Sequence, residues 1–164
     1  MDEQYIQRAL GWHFGIDRGC IPIPNVLMVG GNYEADFIYI NKNDYLTEVE
    51  IKISIPDFKA DFKKKHYHDS KDVRSLYYAL PKDLYKKDKE LFKSMAGECG
   101  AGIIVVSGIR SCEIVQKAAI RRQVKPLSPW QMLDYMRLGC LKWFKSQYMV
   151  DVTDINVGNK GDDE

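Results

Sequence analysis

The chain lacks several features that would settle its class at once. Its four cysteines, Cys20, Cys99, Cys112 and Cys140, form no C-x-x-C pair, which excludes a zinc ribbon or redox dithiol and suits a reducing compartment. No long apolar run occurs. The longest, Ala101 to Val106, falls far short of the roughly 18–20 residues of a membrane span. The opening Met1-Asp2-Glu3 carries acids where a signal peptide carries bases, so a cytoplasmic protein with no membrane partner is expected. Repeats, low-complexity tracts, a glycine-rich phosphate loop and a readable Ser-His-Asp order are all missing.

Net charge is nearly absent as well, at +1, yet it is partitioned along the chain. Phe58 to Lys93 holds 10 Lys and 1 Arg against 6 acids, with His66 and His68 besides, whereas Asp151 to Glu164 holds 5 acids and 1 Lys. Such a basic run is either a solvated lysine face or a surface for a polyanion. What remains is the composition of one globular domain: 164 residues, 45% apolar and 29% charged. We place that domain at residues 1–150 and an acidic, frayed tail at 151–164.

Apolar spacing predicts a first helix from Glu3 to about Trp12. Pro22 and Pro24 then break any helix, and Val26 to Val29 reads as a strand before a Gly30-Gly31 turn. Ala35 to Ile40 and Tyr45 to Ser54 alternate polar and apolar residues about the turn residues Asn41 to Asp44, which predicts a hairpin. A helix follows from Pro56 to Lys63, then a strand over Ser75 to Leu80, a helix over Lys87 to Met95 closed by Gly97, short strands at Gly102–Val106 and Glu113–Val115, and a long helix from Ser128 or Pro129 to about Tyr148. The order is αβββαβ, then αββα, a mixed α/β fold. Trp130, Met132, Leu133, Met136, Leu141 and Phe144 are expected to lay the last helix on the sheet.

If the hairpin turns about Asn43, Asp36 faces Glu50, and Lys52 joins Glu50 on the same face. Directly opposed carboxylates repel, so a divalent cation between them gives the pairing a reason. Oxygen ligands suit Mg2+ (or Mn2+), with Lys52 as the complementary cation. The competing account makes Glu48, Glu50 and Lys52 the solvated face of a strand, and a slip of one residue would send Asp36 and Glu50 to opposite faces.

Asp36, thirteen residues, then Glu50-Ile51-Lys52 at the ends of consecutive strands resembles the core of the PD-(D/E)xK nuclease superfamily, whose fold is a restriction-endonuclease-like mixed sheet flanked by helices. Glu50-Ile51-Lys52-Ile53-Ser54, followed by Asp57-Phe58, Asp61, Lys63 and Tyr67, is similar to the Glu-(Ile/Val)-Lys-x-Ser-x-x-Asp-Phe-x-x-Asp-x-Lys pattern of MmcB-related DNA-repair proteins. Tyr77 to Pro81 and Glu113 to Val115 resemble later strands of that group, and the likeness spans about residues 25 to 118. The resemblance implies a magnesium-dependent phosphodiesterase acting on DNA, endonuclease or exonuclease, with RNA left open. Asp36 and Glu50 would be metal ligands, the Ile51 carbonyl a third donor, and Lys52 the group that positions or activates water. A glutamate from the first helix often joins such sites, and Glu3 is the candidate. The proline-acid pair of the superfamily's name is absent, since Glu34-Ala35 precedes Asp36.

Further candidates are Ser54, Asp57 and Asp61. The bland account gives Asp57 to the helix N-terminus and Asp61 to an i, i+4 ion pair with Lys65. Lys63, Lys64, Lys65, Lys71 and Arg74 are the candidate phosphate contacts. Tyr77 and Tyr78 alternate on a strand, so one could stack on a base while the other packs inward, with core packing the favoured account. His66 and His68 read as loop residues and His13 as packed or capping. Two other readings stand beside the nuclease: a non-cleaving nucleic-acid-binding subunit with the same fold, and a structural protein whose acid pair is neutralised by Lys52. A second copy or a repair-complex partner is compatible with each.

Overall fold

The computed structural model describes residues 1–29, 33–63 and 70–148. Lys64, Lys65, His66, His68, the Gly30-Gly31 turn and the 151–164 tail lie outside those residues. Six strands form one mixed sheet in chain order: β1 (Ile21–Leu27), β2 (Glu34–Ile40), β3 (Leu46–Ile51), β4 (Val73–Pro81), β5 (Gly102–Gly108) and β6 (Ser111–Gln116). β2 runs antiparallel to both its neighbours, β1 and β3; β3, β4 and β5 run parallel, and β6 antiparallel to β5. The parallel steps need crossovers, supplied by α2 (Ile55–Asp61) between β3 and β4, and by α3 (Lys82–Lys87) and α4 (Lys89–Glu98) between β4 and β5.

The β2–β3 register has the predicted symmetry, with Phe37 opposite Val49 and Ile38 opposite Glu48. The turn chemistry accounts for it. Asn41 Oδ1 accepts from the amides of Asn43 and Tyr45 at 2.9 and 3.2 Å, and Asp44 takes the left-handed backbone, φ +62°, that aspartate tolerates. β1 starts five residues before the predicted strand and contains both prolines. It is an edge strand, where a missing N–H costs no ladder bond if it faces outward.

The helices also differ at their ends. α1 (Glu3–Leu10), capped by Asp2 Oδ1 on the Tyr5 amide, runs on as a π-helical turn over Gly11–Asp17. The helix predicted over Lys87 to Met95 is α4, and a separate short helix, α3, precedes it; the break falls at Asp88, whose side chain caps α4 through the Leu91 amide. α4 runs through Gly97, and the left-handed turn falls at Gly100, φ +73°. α5 spans Pro129–Tyr148 and opens on a reciprocal cap, with Gln131 N donating to Ser128 Oγ and Ser128 N donating to Gln131 Oε1.

One sheet face packs Phe37, Val49, Ala79 and Ile104 against Ile6, Leu10 and Phe14 of α1 and its π turn, with Phe14 stacked on Tyr39. The other face carries two apolar clusters. Phe58 of α2 and Phe92 of α4 cover Tyr78, Leu80 and Ile103, while Tyr135 of α5 joins Ile23, Ile38, Ile40 and Leu46. The predicted buried face of α5 is therefore right at Met132, half right at the half-buried Leu141 and wrong elsewhere. Trp130, Leu133, Met136 and Phe144 are exposed, and the sheet is met by the Met132–Tyr135–Leu138 stripe, with Gly139 close against Ile23. In a helix whose apolar residues surround it, periodicity does not select the face.

Gly102 opens β5 beneath the Tyr77 ring and the main chain of Ala118. A Cβ there would overlap the ring and come 2.6 Å from the Ala118 nitrogen. Gly102→Ala is expected to destabilise the protein by about 1–3 kcal/mol, read as a lowered denaturant midpoint.

Candidate active site

Continuing the observed registers puts Asn25, Asp36, Glu50 and Tyr78 in one row across four strands. This row lies where β3 leaves the sheet for α2. Glu48, Glu50 and Lys52 share the face that carries the two apolar clusters, and they interrupt it with charge. They are not a solvated face: Glu50 is 0% exposed, Lys52 3% and Asp61 4%. Burial on this scale requires partners. Lys52 Nζ lies 3.1 Å from Glu50 Oε2 and 3.1 Å from Asp61 Oδ1, and Tyr78 OH donates to Asp61 Oδ2 at 2.9 Å. Tyr33 OH donates to Glu48 Oε2 at 2.7 Å. Burial alone would lower the Lys52 pKa, but Glu50 and then Asp61 more than reverse it, so it lies above the ordinary lysine value. The phenols of Tyr33 and Tyr78 are pushed up by burial and by the carboxylates they serve.

Asp36 is half-buried and its Oδ2 accepts from the Ile51 amide at 2.8 Å, which ties β2 to the end of β3. Gln7 of α1 reaches over the same edge. Its Nε2 donates to Asn25 Oδ1 at 2.7 Å, to the Asp36 carbonyl at 3.1 Å and to Glu3 Oε1 at 3.1 Å. Glu3 is thereby brought into the field of the cluster. Its pKa is raised, by burial first and then by Asp36, with further repulsion from Asp57 and Glu34 and a partial offset from Lys52. The site thus has two levels, a buried Glu50–Lys52–Asp61 triad and an acidic rim of Glu3, Glu34, Asp36 and Asp57.

The remaining candidates separate by geometry. Ser54 is the cap of α2, its Oγ accepting from the Asp57 amide at 3.2 Å, and Asp57 is exposed in the first turn. Asp61 turns inward to Lys52 and Tyr78, and its candidate partner Lys65 lies outside the described residues. Lys63 and Lys71 are exposed. Arg74 has a structural task at the other end of β4, stacked 3.7 Å over the Tyr45 ring and donating to the Val124 carbonyl at 3.1 Å. Both Tyr77 and Tyr78 pack inward, on opposite faces, and Tyr78 serves Asp61. Tyr33 and Gln7 are site residues that the sequence pattern does not name, although the i, i+2 alternation of Glu48, Glu50 and Lys52 announces a polar stripe that needs buried donors.

Asp36, Glu50 and the Ile51 carbonyl would offer only oxygen donors, the hard ligands that Mg2+ or Mn2+ takes. Among the described residues no three acidic, histidine or cysteine side chains gather as a metal cluster. An ion here would rest on two carboxylates and a main-chain oxygen with water completing its shell, as magnesium commonly does. Among the described residues, no helix is long and apolar enough to cross a membrane.

Sheet, helices and carboxylate–lysine cluster define a mixed α/β protein with a polar site at one end of its central parallel strands. The chain belongs to the MmcB-like family of DNA repair proteins, whose model matches residues 6–136. That span contains Asp36 and Glu50 to Lys52 and stops before the second half of α5. Among solved structures, SPO1766, a protein of unknown function from Silicibacter pomeroyi, is similar over 99% of this chain and 98% of its own, with a TM-score of 0.63 and 15% identity, a likeness of fold alone. No curated protein matches the chain.

Removing Lys52 leaves two buried carboxylates facing each other. Lys52→Ala is expected to cost about 3–5 kcal/mol in denaturant unfolding. Glu3 should titrate above the usual glutamate value of about 4.3, followed by NMR, and Asp36→Asn should bring it part of the way down. Because the folded pKa is raised, the contribution of Glu3 to stability is full below the unfolded value and is lost as pH rises through the folded one.

Proposed function

We propose that this chain is a divalent-cation-dependent nuclease of the PD-(D/E)xK kind, hydrolysing phosphodiester bonds of DNA in repair. One observation carries the reading: Asp36, Glu50 and Lys52 meet at the end of β3, with Glu3 and Asp57 in the same electrostatic field. Asp36 and Glu50, with the Ile51 carbonyl, would hold the ion. When bound, the ion supplies a water of lowered pKa and offsets the charge of the scissile phosphate.

The chain's own residues do the rest. Asp36, fixed by the Ile51 amide through one oxygen, offers the other from a set position. Lys52, flanked by two carboxylates, is a hydrogen-bond donor and a fixed positive charge, suited to orient water and to stabilise the negative charge that grows on the phosphorus centre. Tyr78 and Asp61 position Lys52 and do not touch substrate. Opening of the site requires Lys52 to exchange its bond to Glu50 for one to a phosphate oxygen while Asp61 keeps hold of it.

A second reading, a DNA-binding repair subunit that does not cleave, draws on the closure of that triad: Lys52 is held from two sides and Glu50 is fully shielded. One experiment separates them. Purified protein is incubated with Mg2+ or Mn2+ and end-labelled single-stranded, duplex and branched DNA. Cleavage that depends on the ion and falls on the order of 100-fold or more in Asp36→Asn and Glu50→Gln is expected. Salt-sensitive binding without cleavage, unchanged by Mg2+ and by Glu50→Gln, would establish the second reading instead.

A further inference from the structure

A groove of about 1050 Å3 runs between the edge strand β1 and the C-terminal half of α5. Its walls are apolar, from Ile21, Pro22, Ile23 and Met136, with Trp143 61% exposed, and Lys142 and Lys145 stand among its lining residues. Two links join it to the carboxylate cluster. Asn25 lines the groove and takes the Gln7 bond that continues to the Asp36 carbonyl and to Glu3. Lys142 lines it too and pairs with Glu34, two residues from Asp36, at 2.8 Å between partly exposed side chains. An exposed pair of this kind is worth little and yields readily to a stronger anion.

We propose that this groove binds a single strand of DNA and leads it to the Asp36–Glu50–Lys52 cluster. The proposal rests on the nuclease reading and adds the form of the substrate. Apolar walls with ammonium groups among them match a ligand that alternates flat apolar faces with anionic groups, as unpaired nucleotides do. A duplex hides its base faces and offers the walls only phosphates. A peptide strand added to β1 is disfavoured. Pro22 and Pro24 oppose Tyr39 and Phe37, and having no N–H for β2 they stand where the backbone faces outward, so the free edge lacks its donors there. Charge complementarity and continuity with the cluster favour nucleic acid over a second copy of the chain or an acidic peptide.

Fluorescence anisotropy with labelled oligothymidylate and with a duplex of equal length tests this on the full chain. Trp130, also exposed but outside the groove lining, is the control. Trp143→Ala is expected to weaken single-strand binding about 5- to 100-fold while Trp130→Ala does not. Lys142→Ala with Lys145→Ala should lower the slope of log affinity against log salt by about 1.4. Thermal melts of these surface variants should match the parent. Single-strand binding that survives Trp143→Ala and the double lysine change overturns the groove assignment and leaves the nuclease reading standing. Absence of binding to any DNA overturns both. A dimer that Trp143→Ala dissolves, with DNA affinity unchanged, assigns the groove to a second copy and overturns the proposal.

Discussion

The fold is organised around an ammonium group that water scarcely reaches. Lys52 sits where an otherwise apolar sheet face changes hands, from the cluster under α5 to the cluster under α2 and α4. Both carboxylates that hold it come from elements whose positions depend on each other, Glu50 from β3 and Asp61 from the far end of α2. Burying these charges is costly unless all are paired in good geometry, so the β3–α2 connection has little freedom. The Ser54 cap and the inward turn of Asp61 are two parts of one requirement, that α2 lie across the end of β3 with Asp61 pointing down.

The same requirement bears on register. A slip of one residue between β2 and β3 would carry Glu48 and Glu50 to the face packed by α1, among Phe37, Ile6 and Phe14, and away from Tyr33, which serves Glu48. The charged stripe therefore excludes the neighbouring register as firmly as the hydrophobic pattern favours the observed one. The asparagine-rich turn works in the same direction from the other end of the hairpin.

Legibility followed how local each signal was. The hairpin and the Asp36–Glu50 opposition could be read because a short turn fixes the register of both strands. The mixed α/β class could be read from alternating strand and helix patterns. β1 could not, because two prolines look like a stop until it is known that the strand lies at an edge. Spacing along the helix left Asp61 between the site and an ion pair with Lys65, because its contact with Lys52, nine residues back across a turn, follows no helical period. The burial of Glu48 and Glu50 was also hidden, since an alternating acidic strand looks the same in water and beneath a helix. The inward face of α5 was legible only at Met132, because apolar residues surround the helix; Tyr135, Leu138 and the small Gly139 against Ile23 complete the side that meets the sheet.

The reciprocal cap at the start of α5 is itself fastened. Gln131 Nε2 donates to Asp72 Oδ1 at 3.1 Å, and the Leu127 amide donates to the Asp44 carbonyl at 2.8 Å. One end of the helix is thus pinned to the base of the sheet, and the residues from Gln131 to Lys145 extend about 21 Å beyond the pin. Over such an arm a tilt of about five degrees shifts the tip by about 2 Å. Met132, Tyr135, Leu138 and Gly139 seat the intervening turns on the sheet, so the pin at Gln131 and that seam together set the clearance between Trp143 and β1, a gap that Gln131 itself never touches.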